Sequence, residues 1–141
     1  MTDRRHRLRQ IRKGFTLLEV IIAVTIVALL ATILVPNVTR WLGVAKARKA
    51  KADVNSLAQQ VRLYMTEAGL SRLNDDFELV VLCQGDNPII QNANNLKDPW
   101  GHDYVVAIPP SVNRDFDVVS YGADGQPGGE GDNRDIINGA D

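Results

Sequence analysis

The apolar run FTLLEVIIAVTIVALLATILV at residues 15–35 constrains this chain more than any other part of its sequence. Its only charged residue is Glu19. At 1.5 Å of rise per residue, about 21 helical residues cover about 30 Å, the thickness of a bilayer core. Residues 1–14 place Arg4, Arg5, Arg7, Arg9, Arg12 and Lys13 against a single acid, Asp3. Cations on that flank keep the N-terminus in the cytoplasm and export the rest of the chain. A secretory signal peptide would set a shorter apolar stretch before a small-residue cut site. This run is long and no A-x-A-like site comes after it, so hydropathy alone reads as an uncleaved signal anchor.

What remains is a small domain with limited core capacity. The formal charge of −1 conceals an imbalance, because residues 15–141 hold 10 basic and 16 acidic side chains. An acidic domain lacks the basic face that phosphate binding needs, which argues against a nucleic-acid partner. Cys83 is the only cysteine, so no intramolecular disulfide can staple the domain.

Pro36 lacks the N–H used in a helix interior and clashes with the preceding turn. The pattern predicts that it loosens the helix rather than ends it, because helical periodicity resumes beyond it. Val54, Leu57, Val61, Tyr64 or Met65, and Ala68 recur at spacings of three and four, opposite Lys46, Arg48, Lys49, Lys51, Asp53, Gln60 and Arg62. That is an amphipathic helix with one face to bury, and Gly69 is its expected stop. Residues 70–98 are ambiguous. Asn74-Asp75-Asp76 reads as the cap of a short helix through Phe77, Leu79, Val80 and Leu82, or the same stretch is a short buried strand. Asp98-Pro99-Trp100-Gly101 has the residues of a tight turn. Strands are expected over Tyr104–Ile108 and Phe116–Ser120, joined by a hairpin-type loop from Pro109 to Arg114. After Gly122 there is almost nothing to bury.

Glu19 carries the most information. An acid inside a membrane segment costs a few kcal/mol and is normally paired or functional, unless it snorkels to the interface. A cut before Phe15 would create an α-ammonium, placing Glu19 at i+4 from it on one helix face. The two groups then neutralise each other within a chain or between staggered neighbours. The second arrangement would set subunit register, the best-attested use of buried polar groups.

Lys13-Gly14-Phe15-Thr16-Leu17-Leu18-Glu19-Val20 resembles the leader and mature N-terminus of type IV pilins and type II secretion pseudopilins. The resemblance implies that a prepilin peptidase cuts after Gly14 and methylates Phe15, and Pro36 matches the family's helix-interrupting proline. At the other end, Asp98–Gly101, Asp117–Gly125 and Gly128–Ile136 resemble the C-terminal domain of the major pseudopilins of type II secretion. The resemblance implies an α+β, pilin-like fold with three parts: a cleaved leader (1–14), a transmembrane and polymerisation helix (15–35), and a periplasmic domain (36–141). The long helix would pack on a small antiparallel sheet with a calcium loop at its C-terminal end.

Within 124–135, the acids Asp124, Glu130, Asp132 and Asp135 lie among Gly125, Gly128, Gly129 and Gly131. Acids this close repel unless a cation sits among them, and hard oxygen donors suit Ca²⁺. On an EF-hand template Asp124, Gly129 and Asp135 fall at positions 1, 6 and 12. Gln126 and Gly128 fit positions 3 and 5 poorly, and a strand precedes the loop, so it is not an EF-hand. Composition alone favours a flexible, solvated acidic tail over a cation site. The family resemblance implies one structural Ca²⁺ held by the side chains of Asp124 and Asp135 and the carbonyls of Tyr121 and Gln126. Asp132 or Glu130 would add a further oxygen.

His102 comes after a turn and is expected to be solvent-exposed; Cys83 is expected to be a small buried group. No nucleophile–base, zinc-type or phosphate-loop spacing is visible, so no enzyme chemistry is expected. The implied function is structural: subunits polymerise into a short periplasmic filament that pushes folded proteins out through an outer-membrane channel. The implied partners are further copies of the chain, minor pseudopilins, the inner-membrane assembly platform and the prepilin peptidase, with a cytoplasmic ATPase supplying energy. Two rivals are a type IV pilin for adhesion or DNA uptake, many of which carry a cysteine pair, and a membrane-anchored binding module that never polymerises.

Overall fold

The computed structural model describes residues 14–140, without the side chains at 36 and 37. The leader through Lys13 and the Pro36 side chain therefore lie outside the described residues. Helix α1 runs over Leu17–Glu67. The chain divides after Thr39 into two compact units.

In the first unit the helix is apolar all round and its side chains from Phe15 to Val35 are exposed. It is long and apolar enough to cross a membrane. Its hydroxyls are satisfied locally, Thr25 Oγ1 donating to the Ile21 carbonyl at 2.8 Å and Thr32 Oγ1 to the Leu29 carbonyl at 2.7 Å. Back-bonding of this kind lets a hydroxyl sit in an apolar environment at little cost.

In the second unit the helix becomes one-sided. Ala50, Val54, Leu57, Ala58 and Val61 are buried, and Tyr64 and Met65 partly so. The expected face is therefore correct through Met65, but Ala68 is exposed because the helix has already ended. Gly69 (φ 65°) terminates it. The Leu70 N–H donates to the Met65 carbonyl at 2.8 Å and the Gly69 N–H to the Thr66 carbonyl at 3.3 Å. This pair of bonds needs a left-handed residue at the stop, which glycine supplies without a Cβ clash.

The ambiguous segment is neither an α-helix nor a strand. Leu79–Cys83 forms a 3-10 turn, which buries Leu79 and Leu82 at its three-residue repeat. A second 3-10 turn spans Ala93–Leu96, with the Asn92 side chain accepting from the Asn94 N–H. Phe77 meets Tyr64 with ring centroids 5.6 Å apart, fastening the segment to the helix.

The sheet has three antiparallel strands in the order β1 (Val105–Ala107), β2 (Asp117–Ser120) and β3 (Ile136–Ile137). Val105 pairs with Val119 and Ala107 with Asp117; Val119 also pairs with Ile137. The hairpin expected between the first two strands is present. β3 is an addition to the expected strands, because two isoleucines among Gly, Asp and Asn fall below any detectable period; Ile136 is nonetheless buried. Tyr104, Phe116, Val118 and Ile136 meet the helix seam and the 3-10 turns in one core. Each large apolar side chain buried there contributes about 1.5–3 kcal/mol. Val54, Val61 and Val118 have no exposed surface at all.

All four residues of β2 are buried, two of them polar. Asp117 accepts five hydrogen bonds, from the amides of Ser111, Val112 and Asn113, the Ser111 hydroxyl and the Asn113 side-chain amide, at 2.6–2.9 Å. Burial pushes its carboxyl upward, but the Asn113, Val112 and Ser111 hydrogen bonds outweigh that and hold it at about 2. The folded value lies below the ordinary 3.8, so the stabilisation is present above about pH 4 and is lost as the pH falls through about 2. Its size is about 2 kcal/mol. Asp117→Asn should flatten the acid limb of a stability–pH curve from urea unfolding; an unchanged acid limb would contradict this assignment.

Candidate functional site: the acidic loop and the first helical turn

The loop after β2 is built on the turn before β1. Asp98 is buried, and its Oδ1 accepts from the Trp100 and His102 amides at 3.0 and 2.9 Å. Its Oδ2 accepts from the Ser120 hydroxyl at 2.7 Å, tying this turn to the end of β2. His102, expected to be exposed, is half-buried, with Nδ1 3.1 Å from the Gly122 carbonyl and its ring against Gly125. No local pattern signals this, because the contact spans about twenty residues and only the sheet brings its two sides together.

Gly122 (φ 68°) is buried where the loop folds back on itself. A Cβ there would sit 2.8 Å from the Asp132 carbonyl oxygen and the Asn133 carbonyl carbon. The Ala123 N–H donates to that same Asp132 carbonyl at 2.9 Å. Position 122 thus requires glycine both for its conformation and for space.

The candidate ligands are distributed unevenly around this closure. Asp124 is exposed, and its Oδ1 accepts from the Gln126 amide at 3.1 Å. Asp135 is half-buried and accepts from the Gly128 amide at 3.0 Å through both oxygens. These two carboxylates are held by amides two residues apart in one loop. Tyr121 is half-buried and Gln126 exposed, and among the described residues no donor meets their main-chain carbonyls. Asp132 is different: its carboxylate lies against α1 at Gly43, within 2.6 Å of where a Cβ on that residue would be. Glu130 is exposed, with its carbonyl taken by the Asn133 amide.

Among the described residues no group of three or more His, Cys, Asp or Glu side chains is placed to hold a metal. Any cation site here would rest on two carboxylates supplemented by main-chain carbonyls. That all-oxygen donor set fits Ca²⁺ in kind, since Ca²⁺ takes carboxylates, carbonyls and water together.

At the other end, Thr16 and Glu19 cap α1 reciprocally. The Glu19 N–H donates to Thr16 Oγ1 at 3.1 Å, and the Thr16 N–H reaches a Glu19 carboxylate oxygen at 3.5 Å. This is a capping box, T-x-x-E, satisfying two of the orphan donors of the first turn. The second bond is long, so the carboxylate has capacity for a further donor. Gly14 and Phe15 are both exposed ahead of this turn. The capping role of Glu19 is legible in Thr16-Leu17-Leu18-Glu19 but is obscured when Glu19 is read only as a membrane charge.

Residues 37–139 match the family described as Type II secretion system (T2SS), protein G, and residues 9–35 match the prokaryotic N-terminal methylation motif. The chain is 34% identical to the type II secretion system core protein G of Vibrio cholerae serotype O1, over 93% of this chain and 95% of that protein. It is 33% identical to the Pseudomonas aeruginosa core protein G, over 92% and 96% of the two chains. The Escherichia coli K12 protein of the same name is 32% identical, over 86% and 88%. The exposed apolar helix, the capped methylation motif and the closed acidic loop thus occur together in a chain that belongs to the type II secretion system protein G family.

Proposed function

We propose that this chain is a structural subunit of the type II secretion pseudopilus, made as a membrane-anchored precursor and polymerised through its N-terminal helix. One observation carries the reading: the methylation motif and the protein G domain adjoin in one chain, at residues 9–35 and 37–139. In this reading a prepilin peptidase cuts between Gly14 and Phe15 and methylates the new amine. The N-terminus faces the cytoplasm, and the domain is exported to the periplasm.

The physical argument starts from the helix. Its all-round apolar surface needs lipid before assembly and other helices after it, because backbone and side chains together offer no polar face. Glu19 would pair with the Phe15 ammonium of its own or a neighbouring chain. The filament core is then a bundle of these helices, and the domains form its outside. Minor pseudopilins and an inner-membrane assembly platform are the proposed partners, and a cytoplasmic ATPase supplies the energy. The chain itself carries no chemistry of catalysis in this reading.

The loop would hold one Ca²⁺ through the Asp124 and Asp135 carboxylates and the Tyr121 and Gln126 carbonyls. Either Asp132, turned from its position at Gly43, or Glu130 would complete the set. A bound cation would offset carboxylate repulsion and cross-link a loop that no disulfide can staple.

Mass spectrometry of the chain extracted from membranes tests the processing step. The expected species begins at Phe15 and carries one extra methyl group. A chain that retains residues 1–14 would overturn the reading.

A further inference from the structure

Beyond the apolar run, α1 carries Lys46, Arg48, Lys49 and Lys51 on a segment that has no acid between residues 36 and 52. At about 100° per residue these four fall about 60–140° apart around the axis, forming a collar rather than a stripe. Lys46, Arg48 and Lys49 are exposed and Lys51 partly so. Among the described residues only Lys49 of the four has an ion pair, with Asp53. On the covered side the collar opens on a cleft of about 600 Å³, where Asp132 and Asp135 accompany Arg48, Lys51 and Arg134. Elsewhere its charge faces outward. On those open sides the cations face the level at which a membrane surface presents anionic headgroups, the complementary charge.

A further observation sets the level of that membrane surface. The exposed apolar surface does not end at Val35: Val38, Trp41, Leu42 and Val44 are 54%, 76%, 56% and 47% exposed. Trp at such a boundary favours the membrane interface. With Lys46 among the headgroups, Arg40 sits just inside and snorkels upward.

We propose that anionic lipid headgroups grip the Lys46–Lys51 collar and hold Trp41 at the membrane interface in the unassembled subunit. Leader removal discards six cations and leaves the collar as the main juxtamembrane positive charge. This inference rests on the processed, membrane-anchored subunit proposed above.

The test uses the processed full chain in symmetric vesicles, where the direction of insertion does not matter and no filament is required. Trp100→Phe leaves Trp41 as the sole indole, since the chain has two Trp. Iodide quenching of Trp41 should fall about two-fold or more from neutral to phosphatidylglycerol vesicles at low salt, with increased quenching by brominated acyl chains. High salt should abolish the difference, since surface charge acts within a Debye length of about 10 Å. The variant Lys46→Gln/Arg48→Gln/Lys49→Gln/Lys51→Gln should lose it with unchanged helical circular dichroism. Arg at the three lysines should retain it. Equal iodide access in neutral and anionic vesicles overturns the proposal. So does protection that tracks protein density rather than lipid charge, which would assign the collar to a second copy. An unprocessed leader, seen by mass alone, would count against the processing step and not against the collar.

Discussion

Replacing Glu19 with Ala should abolish filament assembly while leaving the folded domain intact, and Glu19→Gln should do the same. The two substitutions separate the capping role that the structure shows from the assembly role proposed above. Glu19 closes a capping box with Thr16, a contribution of about 0.5–2 kcal/mol to the helix start. Gln preserves that cap, because the reciprocal bond needs an acceptor rather than a charge. The proposed assembly role needs the charge. A carboxylate at membrane depth costs about 2.5–3.5 kcal/mol, which pairing with the Phe15 ammonium offsets only in the correct register. Gln removes that reward for correct stagger. Formaldehyde cross-linking ladders in membranes measure assembly, and near-UV circular dichroism measures the domain. A Gln variant that forms ladders like the wild type would mean that capping, not charge pairing, is what Glu19 supplies.

Chelation with EGTA should destabilise the domain by about 10 °C or more in melting temperature. A ligand present at about 100 times its Kd contributes about 2.7 kcal/mol, and each kcal/mol moves the midpoint of a domain this size by about 4–8 °C. Asp124→Ala and Asp135→Ala should each reproduce the loss and make the protein insensitive to added Ca²⁺. Asp135 should be the more damaging position, because its carboxylate also holds the Gly128 amide from a half-buried site. Asp132 gives a sharper discrimination, since its carboxylate lies against Gly43 in the structure. If Asp132→Ala leaves the Ca²⁺-dependent shift intact while Glu130→Ala reduces it, Glu130 is the completing ligand. A melting curve unmoved by both EGTA and excess Ca²⁺ would exclude a structural metal in this loop.

Much of the fold is legible in the residues alone. Helix α1 is encoded by two local periodicities, apolar all round and then one-sided, and its end by Gly69. Local spacing determines such features, because residues three and four apart share a helical face whatever lies beyond. The tight turn at Asp98–Gly101 and strands β1 and β2 are readable for the same reason. The 3-10 turns at Leu79–Cys83 and Ala93–Leu96 are not, since segments of five and four residues carry too little periodicity to distinguish states. β3 is hidden because a two-residue strand exists only through its partner: Ile136 and Ile137 are extended because Ser120 and Val119 lie opposite them.

The sequence by itself determined that this chain has a membrane-competent helix, a basic flank ahead of Gly14-Phe15, a lone acid at Glu19 in the apolar run and an acidic glycine-rich loop. All of these are patterns within a few helical turns or a single loop. Only the tertiary structure decided what joins distant segments. The Tyr104 hydroxyl donates to Asp53 on the helix at 2.9 Å, His102 meets Gly122 across twenty residues of separation, and Asp132 turns to Gly43 instead of into its own loop. The physical reason is that such contacts require loop closure, and the entropy lost in closing them is offset by the shared core of helix and sheet.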